Sequence, residues 1–104
     1  MLDWERFIEF ERDAGNQDKN WEKHGVTDCE SEEVLFNRPL VVRYDSSHSN
    51  KETRFWALGH TDLDRKLFIA FTIREEPIRI ISAREMTHRE RRFYVNYEQR
   101  EEKT

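Results

Sequence analysis

The chain has 104 residues, 38% of them charged and 12% aromatic, with a formal net charge of −4 and a single cysteine. That length allows one domain, residues 1–104, whose core the aromatic side chains must help to fill, because each buries a large area for few rotatable bonds. Cys29 alone excludes an internal disulfide and a cysteine metal cluster, and no apolar run reaches the ~20 residues of a membrane-spanning helix. The stretch MLDWERFIEF lacks a basic region followed by an apolar one, so neither export nor membrane insertion is indicated and a reduced, cytoplasmic setting is expected. The charge is unevenly spread: residues 1–33 carry a balance of −7 and residues 34–104 a balance of +3. The overall sign is therefore a poor guide to the local field.

In chain order, Phe7 to Phe10 reads as a short edge strand or a tethered arm. Asp13 stands as an N-cap before a helix over Ala14–His24, and Gly25 is placed to end it in a left-handed conformation. A second helix is expected from about Cys29 to Phe36, capped by Asp28 and acidic in its first turns, with Val34, Leu35 and Phe36 as its buried contribution. Pro39 stops it, since the residue before a proline is pushed away from helical angles.

Four strands follow. Leu40–Tyr44 and Glu52–Leu58 flank the polar loop DSSHSN, Gly59–Arg65 is read as a turn, and Lys66–Ile73 is apolar on both faces, which marks the most central strand. Pro77 can only open the fourth strand, because it has no N–H for a ladder, and Ile78, Ile80 and Ile81 give that strand its β-branched character. Thr87 and Glu90 have capping-box spacing, so a final helix starts there. The expected fold is α+β: two N-terminal helices, a four-stranded antiparallel meander and a C-terminal helix.

Arginines concentrate where that last strand hands over to the helix: Arg79, Arg84, Arg89, Arg91 and Arg92, with Arg100 beyond. By period two, one sheet face collects Arg43, Arg54, Trp56, Phe68, Thr72 and Arg79. Guanidinium forks grip phosphates and exposed aromatic rings stack unpaired bases, so this mixture suits single-stranded RNA, although the solvated face of an antiparallel sheet commonly carries charges with no ligand at all. His24, His48, His60 and His88 show no metal-ligand spacing, and no metal or cofactor is expected. The chemistry left open is RNA cleavage in which the substrate's own 2′-hydroxyl attacks the neighbouring phosphate, with Lys23, His24, Glu52, Arg54, Arg79 and Arg84 as candidates. His24 serves equally as a helix-terminal packing residue, Thr72 as a hydroxyl at the core's edge, and Glu52 with Arg54 as a cross-strand charge pair.

Several of these pieces match something familiar: Asn20-x-x-Lys23-His24-Gly25-Val26, Phe36-x-x-Pro39, Glu52-x-Arg54 with Gly59, Leu67 to Thr72, and Ile78-Arg79-Ile80-Ile81-Ser82-Ala83-Arg84 followed by Glu90-Arg91 and Tyr94. In these the chain resembles the BrnT family of toxins from bacterial type II toxin–antitoxin modules. The Thr27-Asp28-Cys29 stretch and the tail past Tyr97 depart from the family's pattern. The resemblance implies a RelE-like fold and a metal-independent ribonuclease that halts translation. It also implies neutralisation by a cognate BrnA-like, ribbon-helix-helix antitoxin, through which alone DNA would be contacted. The matched polar positions are Lys23, His24, Glu52, Arg54, Thr72, Arg79, Arg84 and Tyr94, while Arg43, Trp56 and Thr72 are candidate RNA contacts. Arg89, Arg92, Phe93, Tyr94 and Tyr97 form a candidate partner surface; a module that only binds its partner or RNA, or an inactive homologue, is the alternative.

Overall fold

Lys66–Ile73 does lie at the middle of the sheet, as its two apolar faces require. The computed structural model describes residues 10–11, 24–48, 53–73 and 78–102. In chain order the elements are β1 (Phe10–Glu11), α1 (Asp28–Phe36), β2 (Val41–Tyr44), a 3₁₀ turn (Ser46–His48), β3 (Arg54–His60), β4 (Lys66–Ile73), β5 (Ile78–Glu85) and α2 (His88–Glu102). The sheet order is β1-β5-β4-β3-β2, with β2 to β5 antiparallel and β1 parallel to β5. The four-stranded meander thus gains a fifth, two-residue strand at its edge, where Phe10 pairs with Ile78 and Glu11 with Arg79.

Of the two helices expected before the sheet, α1 is the one described. The helix expected over Ala14–His24 lies outside the described residues as far as Lys23; His24 is helical and Gly25 takes φ 65°. The cap of α1 is Thr27 and not Asp28. The Thr27 hydroxyl accepts from the Glu30 N–H while the Glu30 carboxylate accepts from the Thr27 N–H, so two orphan donors are satisfied reciprocally. Burial raises the Glu30 carboxyl, but the Thr27 N–H and the Arg65 guanidinium outweigh it and leave the group below its ordinary value. Arg65 also donates to the Gly25 carbonyl at 2.7 Å and to Glu85 at 3.2 Å, tying the β3–β4 turn to the start of α1 and the end of β5.

The two helices lie on opposite faces of the sheet. Val34 and Leu35 of α1 pack with Val26, Ala57, Leu67, Ile69, Phe71, Ile78 and Ala83, whereas Tyr94 and Tyr97 of α2 pack with Val41, Leu58, Trp56 and Phe68. Ala57 and Leu58 are neighbours on β3 and therefore point to opposite sides. The core under α2 is the smaller of the two.

Gly59 and His60 belong to β3, so the connection to β4 is shorter than the expected Gly59–Arg65 turn. The glycine is there for close approach and not for turning. A Cβ at Gly59 would lie 2.8 Å from Val34 Cγ1, 3.1 Å from Leu40 Cδ1 and 3.2 Å from the Val34 carbonyl, so α1 sits against bare backbone. Gly59→Ala is expected to lower stability by about 1–3 kcal/mol, as overpacking does, and to lower the melting temperature by about 4–8 °C per kcal/mol. A melting curve indistinguishable from the parent's would show that α1 can retreat without loss.

Candidate functional site

The register of the strands decides which side chains share a face. Arg54 pairs with Thr72 and Thr72 with Arg79, so the three stand in one row across β3, β4 and β5. The next row holds Arg43, Trp56, Ala70 and Ser82, and the third Val41, Leu58, Phe68 and Arg84. Arg79 and Arg84 are five positions apart, which in a regular strand would set them on opposite faces. The irregularity in the β4–β5 ladder, where Ser82 pairs with Ala70 and Ile80 with Phe71, passes over Ile81 and returns Arg84 to the side of Arg79. A backbone irregularity therefore gathers the cations of β5 onto one face.

Within the first row Thr72 is fully buried and its hydroxyl donates to the Thr53 carbonyl. It acts as a spacer between Arg54 and Arg79, whose Cα atoms, two strands apart, are about 10 Å from each other. Both arginines are half-buried and Arg43 is exposed. Two guanidinium groups at that spacing can close on one phosphate from either side.

Arg84 is held more firmly. Its two terminal nitrogens donate to the two Glu90 oxygens at 2.8 and 3.0 Å, and its guanidinium lies 4.1 Å from the centre of the Phe68 ring. Glu90 is also the N3 residue of the α2 capping box: its carboxylate accepts from the Thr87 N–H and its own N–H donates to the Thr87 hydroxyl. The start of α2 and the position of Arg84 are thus fixed by one carboxylate. Burial raises the Glu90 carboxyl, but the Arg84 fork and the Thr87 N–H outweigh it and hold the group below its ordinary value. A carboxyl lowered in the folded state stabilises fully above its unfolded value, and that contribution is lost as pH falls through the folded value. Glu90→Gln is accordingly expected to cost about 1–2 kcal/mol near neutral pH, with the difference from the parent closing as the pH falls through the lowered folded value of the carboxyl. Melting temperatures of both proteins across pH 3–7 check this, and a difference that persists undiminished in acid would overturn it.

Beside Arg84 a cavity of about 460 Å³ opens on the same sheet face. Trp56, Leu58 and Phe68 line its sheet side, with the Trp56 and Phe68 rings 6.1 Å apart and within 21° of parallel. Phe93 and Arg89 of α2 bound it on one side, and Asp45 and Ser47, at the 3₁₀ turn, on another.

The remaining expected residues divide. Lys23 and Glu52 lie outside the described residues. His24 is exposed and sits next to Gly25, whose carbonyl is held by Arg65 beside Glu85, at the Leu67 end of β4. The Arg54–Thr72–Arg79 row is at the other end of that strand, so His24 is not brought to it. Of the candidate partner residues, Arg89, Arg92 and Phe93 are exposed and Tyr97 is half-buried. Tyr94 is a correction: it is fully buried, so it belongs to the core and not to a surface. Its hydroxyl donates to the Pro39 carbonyl at 2.6 Å and therefore accepts from His60 Nδ1 at 2.9 Å. Burial, then the nearby Glu98 and Asp64 carboxylates, push the Tyr94 phenol well above its ordinary value. Lys66 lies 5.6 Å from the centre of the Tyr94 ring and 3.4 Å from Glu98. This packing role for Tyr94 and His60 has no spacing signal in the sequence, since the partners are 34 positions apart.

Residues 13–90, about three quarters of the chain, match the family described as the ribonuclease toxin BrnT of type II toxin–antitoxin systems. The chain belongs to the BrnT family. The BrnT match takes in the whole arginine-bearing face from Arg43 to Arg84 and ends at Glu90, leaving most of α2 beyond it. No curated protein matches the chain. Among the described residues no three His, Cys, Asp or Glu side chains are grouped to hold a metal ion, and no helix is long and apolar enough to cross a membrane.

Proposed function

We propose that this BrnT protein cleaves single-stranded RNA in the cytoplasm without a metal ion, and that the cleavage halts translation. The observation that carries this reading is the row Arg54–Thr72–Arg79, two guanidinium groups fixed by sheet register on one face. Attack by a 2′-hydroxyl on the adjacent phosphate builds charge on a phosphorane, and the chief requirement is preorganised cations about that phosphate. Arg54 and Arg79 fill this role, with Arg43 extending the cationic track along the strand's backbone. Glu52, two positions before Arg54 in the chain, is the carboxylate we assign to proton removal. Arg84, locked by Glu90 and stacked on Phe68, positions the RNA and does not move with it.

The antitoxin expected of a type II module is, in this reading, a BrnA-like ribbon-helix-helix protein that docks on the exposed part of α2 beside the cavity. Arg89, Arg92 and Phe93 are exposed there, and Phe93 adjoins the cavity, so a partner seated on it would cover the RNA face. DNA would be contacted through that partner.

The test is incubation of purified protein with end-labelled RNA in EDTA. Discrete cuts ending in 2′,3′-cyclic phosphate are the expected result. RNA that stays intact in EDTA but is cut when a divalent cation is restored would refute the metal-free mechanism, and RNA left intact in both would favour a module that acts by binding alone.

A further inference from the structure

We propose that the cavity bounded by Trp56, Leu58, Phe68 and Phe93 is a nucleobase subsite, which holds one base of the RNA strand whose phosphate lies on the Arg54–Arg79 row. The inference rests on the ribonuclease reading and adds to it the group that the strand inserts next to the cut.

Three features of the cavity point to a base. Its volume of about 460 Å³ falls within the range of small-ligand pockets and accommodates a nucleoside-sized group. Its walls are two nearly parallel aromatic rings and a third on the facing helix, which suit a flat π-system better than a branched aliphatic side chain. Cations also stand on several sides of it. Arg84 is fixed against Phe68, Arg43 is the register partner of Trp56, Arg89 is at the rim, and Arg54 lies two positions along β3 from Trp56, about 7 Å away. The charged groups that line the slot itself are Arg89, Asp45 and Glu90, the last already paired with Arg84, so it is the aromatic walls that complement the flat ring of a base.

The rigid clamp on Arg84 gains a purpose here. Glu90 holds the guanidinium 4.1 Å from the centre of the Phe68 ring, which fixes that ring as a wall of the slot instead of letting it fold into it. The slot is therefore built before RNA arrives.

The experiment uses the full chain and short single-stranded RNAs with 2′-O-methyl riboses, which bind but cannot undergo 2′-hydroxyl attack, each carrying one abasic residue at a successive position. Wild-type protein is expected to lose about 10- to 100-fold in affinity at one position, with small changes elsewhere. Phe93→Ala, at a residue 42% exposed, and Ser47→Trp, which fills the slot from the turn, are each expected to bind the intact strand as weakly as wild type binds the critical abasic one, and to abolish the position dependence. An abasic scan that is flat in wild type, or a dependence that both variants retain, overturns the subsite while leaving RNA binding intact. Variants that lose antitoxin binding but keep the wild-type scan assign the slot to the protein partner and also overturn it. Failure of wild type to bind any of the RNAs would instead sink the ribonuclease reading, and the subsite with it.

Discussion

Arg79→Ala is expected to lower the rate of RNA cleavage by about 10²- to 10³-fold, the effect of deleting one preorganised donor from a developing oxyanion. Arg79 has this weight because it stands in register with Thr72, and through it with Arg54, on a face where two guanidinium groups can meet one phosphate. Arg54→Ala should lose a comparable factor. The double variant should lose less than the product of the two, because residues that act on one charge are not additive. Arg79→Lys is expected to recover only part of the loss, since an ammonium presents a point charge where the fork grips two oxygens. Single-turnover cleavage of a labelled RNA supplies the rates, and melting curves show whether each variant still folds. Folded Arg79→Ala and Arg54→Ala proteins that cut at the parent's rate would remove the row from the chemistry. Arg84→Ala should show a different pattern: it frees Glu90 and unpins Phe68, so affinity for RNA falls more than the single-turnover rate does.

The row was open to a reader of the sequence because strand faces repeat every two residues. Arg54, Trp56 and Thr72 follow from that period alone, and the pairing of β3 with β4 confirms that they share a side. Arg84 did not follow from it: only a local slip in the β4–β5 ladder restores its face, and nothing in Ile80-Ile81-Ser82 announces such a slip. Period two also could not say which face the last helix would cover. The pattern of α2 is overwhelmingly charged, and its hold on the sheet comes from Tyr94 and Tyr97, aromatic residues whose polar tips make them look like surface until their partners are seen. The capping box at Thr87 and Glu90 was legible because its spacing is local, whereas the second use of Glu90, on Arg84, crosses from a strand to a helix and leaves no periodic trace. Gly59 misled for a related reason: a glycine beside polar residues looks like a turn, while its actual role, clearance for Val34, depends on a helix 25 positions earlier.

The largest loss of stability is expected from Tyr94→Ala, about 3–5 kcal/mol, which is a major part of the 5–15 kcal/mol that holds a typical domain together. Among the described side chains of α2, Tyr94 is the one that is fully buried, and it fills the space over Val41 and Leu58. Removing it leaves a cavity under the helix and takes away both the donor to Pro39 and the acceptor for His60. Tyr94→Phe separates the two parts: the ring stays, and the Pro39 carbonyl and His60 N–H lose their partner, for an expected cost of about 1–3 kcal/mol. Urea unfolding measures both. Parent-like midpoints for Tyr94→Ala would mean that α2 is held by other contacts, whereas equal losses for the two variants would place the whole effect in the hydroxyl. The same helix carries Phe93 and Glu90, so a folded Tyr94→Ala protein should also lose the wall of the nucleobase slot and the clamp on Arg84 together. Its RNA affinity should therefore fall in step with the detachment of α2, even though Tyr94 touches no RNA.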